Sequence, residues 1–141
     1  GCGYGALGLS IARQVRDSGG HCTLVDKDFV AVEYARRNAA LNGLDNVDVL
    51  LSNGLDQIRE RRFSLAVTNL PAKTSNEQYT LFFHDIHRQL EPGGRCYVVV
   101  INGLRQLIAR LFGDIFGNHE KLKQGKTYTV ARAIKHAPPT V

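Results

Sequence analysis

Apolar and polar positions along the chain switch between two periods, and each switch marks an element. Leu7, Ile11, Ala12 and Val15 recur at helical spacing until Gly19-Gly20 breaks the run. His21 to Asp26 then reads as a short strand. Asp28 is placed to cap a second helix, with Val32, Ala35 and Ala39 inward, Arg37 turned away and Asn42-Gly43 at its end. Val47 to Leu51 forms the next strand, closing on Ser52-Asn53-Gly54. A polar stretch with Arg59, Arg61 and Arg62 leads into a strand over Phe63 to Thr68. Pro71 to Asn76 is a loop in which Ser75 or Asn76 caps a helix. Phe82, Ile86 and Leu90 mark that helix's inner face, and Pro92-Gly93-Gly94 ends it. Cys96 to Ile101 is almost wholly apolar, as expected of a strand covered on both faces. Leu104, Leu107, Ile108, Leu111, Phe112 and Ile115 form an amphipathic helix. His119 to Leu122 and Thr127 to Ile134, joined across Gln124-Gly125, read as a β-hairpin.

Strands alternating with helices predict an α/β fold: a Rossmann-like, mostly parallel, doubly wound sheet that closes on an antiparallel hairpin. The 141 residues suit one domain. A nucleotide-binding sheet of this kind places its central strand directly before a glycine loop, and here the sequence opens on that loop. Residues 1–141 are therefore read as a single, N-terminally truncated domain whose first strand lies upstream. At 43% hydrophobic and 22% charged, the composition is that of a globular protein. No apolar run approaches the roughly 20 residues of a membrane span. Cys2, Cys22 and Cys96 form no C-x-x-C pair and read as structural thiols of a reducing cytoplasm, so a cytoplasmic location is expected. A net charge of +5 permits a nucleic-acid partner without requiring one.

The chemistry begins at Gly1-Cys2-Gly3-Tyr4-Gly5-Ala6-Leu7-Gly8. Alternate glycines let the backbone turn tightly against a ligand, and the helix start beyond them presents amide donors. Gly3-x-Gly5-x-x-Gly8 fits a dinucleotide loop, while Gly1-x-Gly3-x-Gly5 fits the loop of S-adenosylmethionine enzymes. Asp26, twenty-one residues after Gly5, can accept both hydroxyls of a ribose in either case. A dinucleotide fold would continue into a second mononucleotide half, whereas this chain closes on a hairpin.

Asn69-Leu70-Pro71-Ala72 follows the Phe63–Thr68 strand, where open α/β sheets bind ligands. An aromatic amino group is a weak nucleophile because its lone pair is delocalised. An Asn side-chain oxygen and a neighbouring carbonyl can accept its two N–H bonds and aim the lone pair at a methyl donor, so that alignment supplies much of the catalysis. The same Asn-x-Pro also serves as a plain turn at a strand end. Lys73 stands where it could meet a phosphate. His84 and His87 share a helix face without a third ligand nearby in sequence, so no metal site is expected.

The ordered set of Gly1-Cys2-Gly3-Tyr4-Gly5, Val25-Asp26, Ser52-Asn53, Thr68-Asn69, Pro92-Gly93-Gly94 and Phe116 to Glu120 resembles the small-domain class of S-adenosylmethionine-dependent methyltransferases. The likeness is greatest to the guanine-N2 methyltransferases of 16S ribosomal RNA. The resemblance implies that Gly1, Gly3 and Gly5 shape the methionine side of an S-adenosyl-L-methionine pocket. It implies that Asp26 binds the ribose and Asn53 the adenine edge. Asn69 and Pro71 would then be catalytic, gripping the target amino group of a ribosomal or other nucleic-acid substrate. The family's Asn-Pro-Pro-aromatic motif is altered here, with Leu70 for the first proline and Ala72 for the stacking aromatic. Two rivals follow: a methyltransferase-like module that binds cofactor or RNA without chemistry, and an NAD-dependent oxidoreductase resting on the glycine loop alone.

Overall fold

The computed structural model describes residues 1–72 and 74–137. They form two compact units, Gly1–Ile58 and a second that begins at Arg59.

In the first unit, helix α1 (Ala6–Val15) leads to strand β1 (Cys22–Asp26), and helix α2 (Phe29–Leu41) leads to strand β2 (Val47–Leu51). β1 and β2 pair in parallel, with Leu24 opposite Val49 and Asp26 opposite Leu51. Leu9, Ala12, Leu24, Val32, Ala35, Ala39, Leu44 and Val49 make the core. The alanines let backbones approach closely, and Gly8 takes this furthest. A Cβ on Gly8 would sit 2.7–2.9 Å from the Leu24 side chain, so α1 lies directly on β1. The inner face of α1 is Leu9 and Ala12, whereas Leu7, expected there, is 44% exposed. Asp28 caps α2 as expected, accepting from the Val30 amide at 2.9 Å.

The second unit holds strand β3 (Phe63–Asn69), helix α3 (Asn76–Gln89), strand β4 (Leu90–Ile101), helix α4 (Arg105–Phe116), and strands β5 (Glu120–Gln124) and β6 (Tyr128–Ile134). Its sheet runs β3-β4-β6-β5. β3 and β4 are parallel, while β4–β6 and β5–β6 are antiparallel, which is the hairpin closure the sequence predicts. Cys96, Val98 and Val100 of β4 are buried with Thr129, Ala131 and Ala133 of β6. α3 and α4 contact each other as well as β4 and β6. Phe83 meets Phe112 edge-on at 5.3 Å, and Phe112 meets Phe116 at 5.5 Å.

Three expectations are corrected in this unit. α3 buries Tyr79, Phe83, Ile86 and Gln89, so Phe83 takes the place expected of Phe82. β4 alternates buried with half-buried positions instead of being covered evenly on both faces. It also starts at Leu90, and Pro92-Gly93-Gly94 is an irregular stretch inside it. There the Gly93 amide donates to the Lys135 carbonyl at 2.7 Å and the Lys135 amide to Gly94 at 2.8 Å.

Candidate functional site

At the carboxyl end of β1 the chain gathers most of the residues marked by its sequence. Gly3 and Gly5 have φ of +56° and +97°, values that side chains with a Cβ rarely adopt, so only glycine holds this turn without strain. The turn closes by Gly5 N–H donating to the Cys2 carbonyl at 3.0 Å, and the Cys2 amide donates to the Val25 carbonyl at 2.9 Å. Asp26 then locks the loop: one carboxylate oxygen accepts from the Gly3 amide at 3.0 Å and the other from the Asp28 amide at 2.9 Å. Partial burial pushes the Asp26 proton affinity up. Hydrogen bonds from the amides of Asp28, Gly3 and Lys27 work against that, and the carboxyl is held below the ordinary value. Asp26 is therefore a fixed anion, with its side chain 13% exposed.

Ser52, named in the sequence only as part of the turn after β2, braces this corner. It is buried; its amide donates to the Asp26 carbonyl at 2.8 Å, and its hydroxyl donates to the Gly54 carbonyl at 2.9 Å. The same hydroxyl accepts from the Gln57 amide at 3.1 Å. These bonds hold the turn bearing Asn53, which is exposed next to the end of β1. A polar residue directly after an apolar strand was the available signal.

The chemistry of this corner suits an adenosyl cofactor. Among the described residues, no atom beyond the chain neighbours lies within 4 Å of where a Cβ would stand on Gly3, so a ligand can approach that backbone. No side chain caps the first turn of α1, leaving its amides as donors for an incoming group. Asp26 offers a carboxylate, the kind of acceptor that ribose hydroxyls take.

The second unit carries the other marked residues. Asn69 ends β3, exposed and paired with Val99. The Leu70 amide carries the ladder on to the Val99 carbonyl at 2.9 Å, and Leu70 is buried at 6% exposure. Leu70 thus serves the core at a position where the resembled motif has proline. The Pro71 carbonyl accepts a short hydrogen bond from the hydroxyl of Tyr79, which is 2% exposed. Ser75 caps α3 through the Gln78 amide at 3.2 Å, fixing the helix that carries Tyr79. Ala72 is exposed. Tyr79 was missed because a tyrosine in a helical pattern reads as core until its hydroxyl finds a partner.

Lys73 lies outside the described residues. His87 packs edge-on against Phe116 at 4.9 Å, and burial, Lys135 and His84 hold its pKa below the ordinary 6.5. Arg62 bonds the carbonyls of Arg59 and Arg61 at 3.3 and 3.1 Å, so this arginine run braces its own loop. Burial pushes the Cys96 thiol up to about 12, making it a core residue and not a nucleophile. Among the described residues no helix is long and apolar enough to cross a membrane.

Residues 1–132 match the family model described as the methyltransferase small domain. The chain belongs to that family. The cofactor of this family is S-adenosyl-L-methionine, and the dinucleotide reading of the glycine loop falls away. The chain is 31% identical over 144 residues to the ribosomal RNA large subunit methyltransferase G of Shewanella amazonensis, covering 96% of this chain and 36% of that protein. It is 32% identical over 141 residues to the ribosomal RNA small subunit methyltransferase C of Cronobacter sakazakii, covering 95% and 39%. In structure it is similar to the T. thermophilus 16S rRNA N2 methyltransferase RsmC in complex with AdoMet and guanosine. That likeness has a TM-score of 0.84 at 28% identity, over 96% of this chain and 36% of that one. The chain thus spans little more than a third of the length of these relatives.

Proposed function

We propose that this domain methylates an exocyclic amino group of a base in ribosomal RNA, with guanine N2 as the target, in the cytoplasm. The observation that carries the proposal is the Asn69-Leu70-Pro71 corner: an exposed Asn at a strand end, followed by a backbone clamped from below by Tyr79. The similarity to rRNA methyltransferases and to a guanosine complex supports the choice of RNA and of base.

In this reading Gly1, Gly3 and Gly5 cradle the methionine part of S-adenosyl-L-methionine, Asp26 holds its ribose, and Asn53 meets its adenine edge. When bound, the cofactor would supply a sulfonium methyl group to the target nitrogen, the S–CH₃ bond breaking as the N–CH₃ bond forms, with S-adenosylhomocysteine as the leaving group and the displaced amino proton passing to solvent. The Asn69 amide oxygen accepts one N–H of the target amino group. The Leu70 carbonyl accepts the other, while the Pro71 carbonyl accepts from Tyr79 and holds the loop. Holding both hydrogens keeps the nitrogen lone pair out of conjugation and pointed at the methyl carbon. A base in a duplex reaches such a site only after leaving its stack.

The exposed Ala72, standing where the family stacks an aromatic ring, favours a second reading: a module that binds cofactor or RNA without chemistry. Transfer of labelled methyl from S-adenosylmethionine to unmodified 16S and 23S rRNA transcripts separates the two. Incorporation is expected with the wild-type chain. Asn69→Ala is expected to cut it by about two orders of magnitude, the scale of one lost transition-state contact, with cofactor affinity retained. No incorporation by the wild type would favour the non-catalytic module, and full-rate transfer by Asn69→Ala would remove Asn69 from the chemistry.

A further inference from the structure

Charge is divided unevenly along this chain. Residues 1–58 hold five Lys and Arg against seven Asp and Glu, a net of −2; residues from Arg59 on hold thirteen against six, a net of +7. Three of those cations, Lys121, Lys123 and Lys126, are exposed on the β5–β6 hairpin, and exposed Arg105 opens α4.

A single residue ties the hairpin tip to Arg105. The Asn102 amide donates to the Thr127 carbonyl at 2.8 Å, and its side-chain NH₂ donates to the Gly125 carbonyl at 2.9 Å. Its side-chain oxygen accepts from the buried Thr129 hydroxyl at 2.7 Å, and its carbonyl accepts from the Arg105 guanidinium at 2.7 Å. The tip is therefore held against the carboxyl end of β4 with Arg105 beside it, so little ordering remains to oppose binding.

Strand register relates this tip to the candidate catalytic residue. Asn69 pairs with Val99, Val99 with Val130, and Val130 with Lys123, so the four form one row on one face of the sheet. Three strand spacings put the Asn69 and Lys123 backbones about 14 Å apart. Val99 and Val130, both half-buried, floor the interval. One step further along the same face, Tyr128 pairs with Ile101 and is 52% exposed. Lysines on an edge strand also discourage sheet-to-sheet pairing. That explanation covers Lys121 and Lys123 but not Lys126 beyond the strand, Arg105 on another element, or the Asn102 ties.

We propose that the β5–β6 tip, with Lys123, Lys126, Arg105 and Tyr128, docks the phosphates and a neighbouring base of the RNA strand whose target base lies at Asn69. The proposal rests on the RNA-methylation reading. Its test is filter binding of the unmodified 16S and 23S transcripts by the full chain between about 50 and 200 mM salt, with methyl transfer measured in parallel. Each phosphate contact to a single strand contributes about 0.7 to the slope of log affinity on log salt. The variant combining Arg105→Gln, Lys123→Gln and Lys126→Gln should therefore lose about two from that slope and at least tenfold in affinity at the lowest salt. Its S-adenosylmethionine affinity and thermal midpoint should not change. Arg88→Gln, which removes a cation paired with Asp85 on α3, should bind like wild type, and Lys123→Arg with Lys126→Arg should restore binding. Wild-type affinity and slope in the triple variant would overturn the docking surface while methyl transfer to RNA still stood. A wild type that binds through these residues yet transfers no methyl would overturn the RNA-methylation reading, and with it the target base at Asn69, while the tip still stood as an RNA-docking surface. A wild type that binds no RNA would overturn both.

Discussion

Asp26 does two jobs with one carboxylate. In the folded chain it takes the amides of Gly3 and Asp28, and in the proposed complex it also takes ribose hydroxyls. Asp26→Ala is expected to weaken S-adenosylmethionine by about 1.5–3 kcal/mol, the scale of charge-assisted hydrogen bonds, and titration calorimetry at unchanged affinity would remove it from the site. Its carboxyl is held below the ordinary 3.8, so it adds stability that is fully present above that value. This contribution is lost as pH falls through the folded-state value, and the acid limb of stability should flatten in Asp26→Ala. The position of Asp26 was legible because a carboxylate ending an apolar strand after a glycine loop has few other uses. For Ser52 the turn was legible from a polar residue after an apolar strand but its bracing role was not, since its two hydroxyl partners, Gly54 and Gln57, meet it only in the folded turn. Leu70 departs from the resembled motif for a reason the local sequence does not show: it packs in the core of the second unit.

At the scale of elements, the β3–α3 connection is where packing and chemistry meet. Tyr79 lies in the first turn of α3 and supports the Pro71 carbonyl, so it positions the loop without touching substrate. Tyr79→Phe should cost about 1 kcal/mol of stability for the lost hydrogen bond. In a methyl-transfer assay it should lower kcat while the KM for S-adenosylmethionine holds, because the cofactor residues are on other elements. An unchanged kcat would show that the clamp only stabilises the fold. The phase of α3 explains the error at Phe82. Ser75 sets the helix start, and stepping by helical spacing from there puts Tyr79, Phe83 and Ile86 inward, whereas two adjacent phenylalanines cannot be told apart by apolarity alone. Leu7 was misplaced for the opposite reason. Gly8 presses α1 onto Leu24, which turns Leu9 and Ala12 inward and Leu7 out. Pro92-Gly93-Gly94 reads as a helix stop in sequence, but its bonds to Lys135 at the end of β6 draw it into the sheet.

For the whole molecule, the proposed cofactor residues Gly1, Gly3, Gly5, Asp26 and Asn53 all fall in the first unit, while Asn69, Pro71 and the basic hairpin fall in the second. This division predicts how binding stabilises the chain. A ligand that contacts only the native state of one unit raises the opening free energy of that unit, by about 2.7 kcal/mol at one hundred times its dissociation constant. Hydrogen exchange followed by mass spectrometry at that concentration of S-adenosylmethionine should therefore slow amides of α1, β1, α2 and β2 by about a hundredfold. Amides buried in β4, α4 and β6 should exchange as before. The assignment fails if the added protection is centred on β4 and β6, because the cofactor would then be held by residues other than those at the end of β1. Equal protection throughout would mean that the chain opens only as one cooperative body, and the separation of cofactor and substrate residues would have no counterpart in its stability.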